Sequence, residues 1–294
     1  MSILALDIGG TAIKSGLLEE DGSFLLSAEH PSDAHRGGPF LMQRLYEIIN
    51  LYSGYDRIGI STAGQVDSEN GVIVFANQNI PDYTGMHVRD MVAERFHVPV
   101  FIENDVNCAA LGEAFYGAGK EYSDFLCLTY GTGIGGAIII NHRLYKGYKG
   151  IAAEFGHMVT HANGLPCGCG LSGCYEQYAS TKALVREAQK ADKDCSSGRA
   201  IFAKLAEAKN IAAKAAVDHW IDEILIGLAS LIHVFNPPCI VLGGGIMNED
   251  YILNEISAKL PQHVMESCRD TAIKKASLGN KAGMLGAMKL TLND

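Results

Sequence analysis

The stretch 125–145, FLCLTYGTGIGGAIIINHRLY, decides how this chain is read: an apolar run, a glycine-rich turn, then a second β-branched run. Apolar runs of this length broken by glycine are strand, turn and strand. The opening segment 3–30, ILALDIGGTAIKSGLLEEDGSFLLSAEH, follows the same plan, with strands expected at 3–8, 13–18 and 24–30, and Gly10 lies 123 residues before Gly133. A repeat of one supersecondary unit implies two related lobes facing a cleft. The expected lobes are 1–117 and 118–294, with the junction in 117–123 and the last helix packing back on the first lobe.

Between these units the pattern predicts a helix over 39–52, strand 57–62, a turn at Ala63-Gly64, strand 71–76, a helix over 86–96, strand 98–102 and a helix over 106–116. In the second half it predicts helices over 181–190, 198–208, 210–235, 250–264 and 282–290, with strands at 239–244 and 273–277. The segment 210–235 is apolar enough to suggest a membrane span. Lys214, Asp218, His219, Asp222 and Glu223 interrupt it at helical spacing, so a long buried helix is expected, stopped by Pro237 and Pro238.

With 294 residues, 48% of them hydrophobic, 33 glycines and 8 prolines, the composition is that of a soluble α/β protein. Lysine and arginine total 24 against 33 acids, a net charge of −9, which argues against nucleic acid as a partner. No basic and apolar leader pattern precedes the strand at Ile3, so the expected compartment is the cytoplasm, with reduced cysteines and no membrane partner.

The glycine turns carry the first chemistry. Asp7-Ile8-Gly9-Gly10-Thr11 offers bare backbone N–H groups to phosphate oxygens, with Asp7 placed to orient a hydrated Mg²⁺ and Thr11 and Lys14 placed to reach phosphate; an ordinary hairpin is the alternative. Gly131-Thr132-Gly133-Ile134-Gly135-Gly136 matches a dinucleotide fingerprint by spacing, yet a strand follows where that fingerprint needs a helix. A P-loop is absent, since Gly119-Lys120 is followed by Glu121. Two phosphate-sized turns suggest a nucleoside triphosphate. Gly243-Gly244-Gly245, at a strand end, suits a base or ribose lying on bare backbone, or simple packing.

In 102–113, IENDVNCAALGE, Asn104 and Asp105 stand where a strand ends and a helix begins. Asp105 is either an N-cap or the proton acceptor a phosphoryl transfer needs, with Asn104 bonding a neighbouring hydroxyl. Asn79 and Tyr83 in FANQNIPDY would add a polar contact and a flat apolar surface. The segment 154–176, EFGHMVTHANGLPCGCGLSGCYE, gathers His157, Cys167, Cys169 and Cys174 as a closed tetrahedral zinc site would require. His161 is a rival fourth ligand. Such a knot would fix Glu154, His157 and Glu176 as carbohydrate-binding walls.

Together DIGGT, the STAG turn, NIPDY, ENDVNCAALGE, YGTGIGG, EFGH, CGCGLSGCYE and VLGGG resemble the ROK family of sugar kinases and sugar-responsive repressors, across essentially the whole chain. The resemblance implies a two-lobed actin/hexokinase-type (ribonuclease H-like) fold with ATP and Mg²⁺ in the interlobe cleft, structural Zn²⁺, and a homodimer. It implies Asp105 as general base, and Gly64, Asn104, Glu154, His157 and Glu176 as sugar contacts. His157, Cys167, Cys169 and Cys174 would be the zinc ligands. The implied reaction is ATP-dependent phosphorylation of the 6-hydroxyl of a hexopyranose, glucose or a β-glucoside such as cellobiose, with N-acetylmannosamine as the alternative acceptor and a non-catalytic regulator as the rival class. Tyr83 stands where many members have tryptophan, which would leave room for a second ring, and Ala12 where lysine or asparagine is common. Operator-binding members carry a helix-turn-helix ahead of the first strand; only two residues precede Ile3 here, so a kinase is expected.

Overall fold

The apolar runs near the start form three antiparallel strands, β1 (Ser2–Ile8), β2 (Ala12–Glu19) and β3 (Phe24–Pro31). There follow α1 (Gly38–Ile49), β4 (Tyr55–Thr62), β5 (Gln65–Asp67), β6 (Val72–Phe75), α2 (Val88–Phe96), β7 (Val100–Asn104) and α3 (Asp105–Tyr116). The computed structural model describes residues 2–76, 78–206 and 211–292. The chain continues through β8 (Phe125–Tyr130), β9 (Ile134–Ile140), β10 (Arg143–Leu144), α4 (Glu176–Ala179), α5 (Thr181–Ala191), α6 (Gly198–Ala206), α7 (Ile211–Phe235), β11 (Cys239–Gly243), α8 (Asp250–Lys259), β12 (Ala272–Lys275) and α9 (Ala282–Leu290).

Two units result. The first comprises Met1–Ser123, Ile138–Ala152 and Asn280–Asp294; the second comprises Asp124–Ala137 and Ala153–Gly279. The repeat visible in the sequence reappears as two five-stranded sheets, ordered β3-β2-β1-β4-β7 and β10-β9-β8-β11-β12. Each has antiparallel pairing on one side and parallel pairing on the other, β1 with β4 and β7 in one, β8 with β11 and β12 in the other.

Parallel strands covered on both faces read as continuous apolar runs, and β1 and β11 do: Ile3, Leu4, Leu6 and Ile8, and Ile240, Val241 and Leu242, are all fully buried. In the first unit α1 covers its sheet with Leu41, Met42, Leu45, Ile48 and Ile49, a helical stripe at three- and four-residue spacing. Burying each such side chain is worth about 1.5–3 kcal/mol. In the second, α7 is the buried helix the charge pattern implied. Val217, Trp220, Ile221, Ile224 and Leu228 face inward, and the Trp220 indole donates to the Ala179 and Ser180 carbonyls at 2.9 and 3.0 Å. No described helix is long and apolar enough to cross a membrane.

Several boundaries differ from the sequence reading. The helix expected over 250–264 stops at Lys259, where Leu260-Pro261 turns the chain into a single 3₁₀ turn because proline lacks the N–H the α-helix needs. The strand expected over 71–76 is Val72–Phe75 and pairs with β5 in a two-stranded ribbon of its own. The helix ends expected at Ala208 and Asn210 lie outside the described residues.

Helix α9 closes the first unit. It lies on α3, β4 and β1, and it approaches so closely that side chains are excluded at the crossings. A Cβ on Gly286 would stand 1.7 Å from the Cys108 carbonyl oxygen, and one on Gly59 2.0 Å from that of Ala287. Backbone atoms cannot yield as a flexible side chain can, so Gly286→Ala is expected to destabilise the protein by about 1–3 kcal/mol or more. Gly10→Ala, which meets nothing within 4 Å, should be close to neutral; chemical denaturation of both variants is the check.

Candidate active site

In the first unit, the end of β1 and the end of β7 bring two carboxylates together. Asp7 Oδ1 accepts from the Ser61 hydroxyl at 2.7 Å, and Lys14 Nζ lies 3.4 Å from Oδ2. Lys14 sits opposite Asp7 in the β1–β2 register, so this pairing follows from the hairpin. The turn between them is tight, with the Gly9 N–H donating to the Ala12 carbonyl at 2.9 Å, while Gly10 and Thr11 stay exposed.

Asp105 opens α3, and the residue that caps the helix is Asn104. The Asn104 Oδ1 accepts from the Val106 and Asn107 N–H groups at 2.9 and 3.1 Å. This sets aside the N-cap reading of Asp105, because the cap role is already filled one position earlier. The Asn104 amide donates to the Gly64 carbonyl at 2.8 Å and to Asp105 Oδ1 at 2.9 Å. A primary amide has two donors and two acceptor positions. All four are engaged, so a sugar hydroxyl would have to share or displace one of them. Asp105 Oδ1 also accepts from the Val106 N–H at 2.9 Å, and Oδ2 has no side-chain partner among the described residues. Burial, then the neighbouring Asp7 charge, pushes the Asp105 carboxyl from 3.8 up to about 6, with the Val106 and Asn104 hydrogen bonds pulling the other way.

Sequence reasoning missed what stands behind this pair. Glu103, fully buried, accepts from the Asn104 N–H at 2.9 Å and the Asn107 amide at 3.1 Å, and its Oε2 lies 2.8 Å from Lys146 Nζ. The signal available was a charged residue at an inward position of an apolar strand, which needs a partner.

Of the two residues expected from FANQNIPDY, one lands differently. Asn79 is exposed in the turn after β6. Tyr83 offers no flat surface to a ligand, since it is fully buried in the first unit's core with its hydroxyl 2.9 Å from that of Thr62, and burial pushes its phenol up to about 12. An aromatic ring flanked by Ile80 and Met86 gains more from the core than from the surface.

In the second unit, Gly131-Thr132-Gly133 joins β8 to β9. The Gly131 N–H donates to the Gly133 carbonyl at 2.9 Å, and the Gly131 carbonyl accepts from the Thr181 N–H at 2.9 Å. A strand follows the turn, as its β-branched residues required, so this is not a dinucleotide fingerprint. Gly243 and Gly244 end β11 beside it. Gly244 has φ of +100°, and a Cβ there would stand 2.1 Å from the Tyr130 carbonyl, so only glycine lets the run lie against the end of β8.

The four proposed metal ligands converge. The ligand atoms of His157, Cys167, Cys169 and Cys174 all lie within 4.8 Å of one another. Cys167 Sγ is 3.7 Å from His157 Nδ1, and Cys169 Sγ is 3.6 Å from Cys174 Sγ. With metal–ligand distances of about 2.0–2.3 Å, neighbouring atoms of a tetrahedral zinc shell lie roughly 3.4–3.8 Å apart, so the donor set fits zinc. Burial, then the neighbouring Cys169 and Cys167, pushes the Cys174 thiol up to about 12. Holding such a group as a thiolate requires a cation. Gly173, with φ of +84° and no room for a Cβ against the His161 carbonyl, lets the chain double back to deliver Cys174. His161 is turned elsewhere, stacked on Tyr178 at 3.8 Å with its Nε2 3.6 Å from Glu223, which leaves His157 as the fourth ligand.

Both acidic ends of this segment lie near the cluster. Glu154 Oε2 is 4.0 Å from His157 Nε2, beyond hydrogen-bond distance. Glu176 Oε1 accepts from Cys167 Sγ at 3.2 Å, and its Oε2 would stand 2.5 Å from a Cβ on Gly133. Glu176 therefore ties the cysteine cluster to the glycine turn.

The chain as a whole is similar to known proteins. The profile described as "ROK family" matches residues 3–294. The glucokinase of Thermotoga maritima is 34% identical over 310 residues, covering 99% of this chain and 97% of that protein. The beta-glucoside kinase of Listeria monocytogenes is 33% identical over 295 residues, covering 98% and 96%. A crystal structure of a ROK family glucokinase from Streptomyces griseus in complex with glucose and AMPPNP superposes with a TM-score of 0.86 at 33% identity, covering 99% of each chain.

Two outcomes are expected. The folded Asp105 carboxyl holds its proton up to about pH 6, whereas the unfolded one loses it near 3.8. Its stabilising contribution is therefore complete below pH 4 and is lost as pH rises through 6. Asp105→Asn should match the parent protein near pH 4 and exceed it above pH 7 by up to roughly 3 kcal/mol in denaturant unfolding. Separately, elemental analysis should find close to stoichiometric zinc in the purified protein. Cys174→Ser should lose the metal and unfold at lower temperature; a Cys174→Ser protein retaining full zinc would refute the assignment.

Proposed function

This chain belongs to the ROK family, and on that premise we propose that it is an ATP-dependent sugar kinase whose acceptor is the 6-hydroxyl of a hexopyranose of glucose type. The observation that carries the reading is Asp105. Its carboxylate is fixed by Asn104 and the Val106 N–H, keeps Oδ2 for substrate, and has its pKa pushed up to about 6. Such a group is ionised at neutral pH yet more basic than an ordinary carboxylate, which is what a general base requires.

In the proposed reaction the sugar oxygen attacks the γ-phosphorus of ATP, the bond to the bridging oxygen breaks, ADP leaves, and the hydroxyl proton passes to Asp105 Oδ2. Backbone N–H groups of the Gly9-Gly10-Thr11 and Gly131-Thr132-Gly133 turns would receive phosphate oxygens. The Gly243-Gly244 run would lie against the nucleoside. Asp7, with its carboxylate held by Ser61 and Lys14, fits a hydrated Mg²⁺, which would offset phosphate charge. Glu154, His157 and Glu176 would bind sugar hydroxyls, held in place by the cysteine cluster with its zinc. Gly64 and Asn79 are the remaining sugar-side candidates, and Asn104 serves by holding Asp105 and Gly64.

The cytoplasmic setting expected from the sequence remains part of the proposal, as does the homodimer. Burial of Tyr83 removes the argument that its side chain leaves space for a second sugar ring, so glucose is preferred over cellobiose.

Asp105→Asn is expected to bind sugar normally while turnover falls by roughly 10²–10⁴-fold. A coupled ADP-release assay over glucose, cellobiose, mannose, N-acetylmannosamine and fructose measures both the activity and the acceptor. Near-full turnover by the variant would overturn the base assignment, and no ADP release with any sugar would overturn the kinase.

A further inference from the structure

A cavity of about 790 Å³ lies in the first unit, away from Asp7 and Asp105, between the β9–β10 hairpin, β7, α3 and the end of α9. Its lining carries four cationic side chains, Arg89, Arg143, Lys146 and Lys289, against one carboxylate, Glu69. The whole protein has the opposite balance, 24 basic residues to 33 acidic.

The four cations are not equivalent. Arg89 is neutralised locally, pairing with Asp90 at 2.8 Å and donating to the Glu69 carbonyl at 2.6 Å. Lys146 is held by Glu103 at 2.8 Å. Lys289 and Arg143 have no carboxylate partner among the described residues. Lys289 Nζ sits 4.1 Å from the centroid of the Phe115 ring, and burial holds its ammonium below the usual lysine range. Arg143 is delivered by a two-residue turn, Asn141-His142, in which both residues take positive φ, the turn that matches the twist of a hairpin. An ammonium and a guanidinium at one cavity, one of them partly desolvated and neither neutralised, make a site for an anion. The apolar side chains contributed by β7 and α3 make the rest of the lining suited to a small ring body.

We propose that this cavity is a second small-molecule site, which takes a phosphate monoester on a small ring, with Arg143 and Lys289 receiving the phosphate. Binding here also reaches the first unit's carboxylate. Lys146 lines the cavity and pairs with Glu103, and Glu103 accepts from the Asn104 N–H that precedes Asp105. An anion that draws Lys146 away leaves Glu103 buried without its cation and loosens the support of Asn104.

Isothermal titration calorimetry with glucose 6-phosphate, inorganic phosphate and glucose tests the site without reference to any catalytic activity. Glucose 6-phosphate should bind the parent protein in a second, salt-sensitive event. That event should weaken by roughly tenfold or more in Lys289→Met and, independently, in Arg143→Met. Glucose binding should be the same in all three proteins. Equal glucose 6-phosphate affinity and stoichiometry in all three, or no second event, would overturn the site. Inorganic phosphate binding as tightly as the ester would overturn the ring-binding part. Neither substituted residue belongs to the proposed catalytic machinery, so ADP release without added ester should be unchanged in both.

Discussion

Backbone lies on backbone where α9 crosses α3 and β4, and the position of both carboxylates in the first unit depends on it. Gly286 meets the Cys108 carbonyl, Gly112 that of Ala282, and Gly59 that of Ala287. Gly283 is bare because the Asp7 carboxylate occupies the place its Cβ would take, 2.6 Å away. With α3 seated on α9 its first residue, Asp105, is brought close to the end of β1, and the two acids share a region with little water. The resulting mutual repulsion is part of what raises the Asp105 pKa. Because β1 and α9 lie far apart in the sequence, this arrangement rests on contacts of very high sequence separation.

The second unit solves a similar problem with little regular structure around its carboxylates. Between Glu154 and Glu176 there is one 3₁₀ turn and two isolated bridges, Val159 with Cys174 and Pro166 with Ser172. A segment with so little regular structure would lose much conformational entropy on ordering. The cluster of one imidazole and three thiols offers a compact substitute for a core, since a structural zinc site contributes folding free energy directly. Glu176 then passes that order on to the Gly131-Thr132-Gly133 turn by lying where any side chain on Gly133 would be. Fixed carboxylates and a fixed phosphate-sized turn thus come from the same few residues.

Much of this was legible before any coordinates. Apolar runs around paired glycines located β1, β2, β8 and β9, and ligand spacing located the cysteine cluster, because both signals are local. What escaped depended on partners far away in the chain. Glu103 reads as one more polar residue until Lys146 is found beside it. Tyr83 reads as a loop aromatic until Thr62 receives its hydroxyl. Asn104 and Asp105 are both good cap residues, and which one caps is decided by where β7 ends, a boundary the apolar pattern leaves open by a residue or two. The short β5 and β10 carry too few residues for any periodicity, and only pairing defines them.

The succession Glu103-Asn104-Asp105 shows how a buried strand can end on three polar residues. Each would cost several kcal/mol if left unsatisfied. Glu103 is neutralised by Lys146, and Asn104 spends its whole amide on the Gly64 carbonyl, Asp105 and two helix N–H groups. Asp105 alone keeps an oxygen without a side-chain partner. Lys14, the one cation in contact with Asp7 among the described residues, pairs with that acid and makes no contact with Asp105. Had a cation been placed directly on Asp105, its pKa would fall and its basicity with it. A value near 6 follows from burial first and the neighbouring Asp7 charge second, set against the Val106 and Asn104 hydrogen bonds that favour the ionised form.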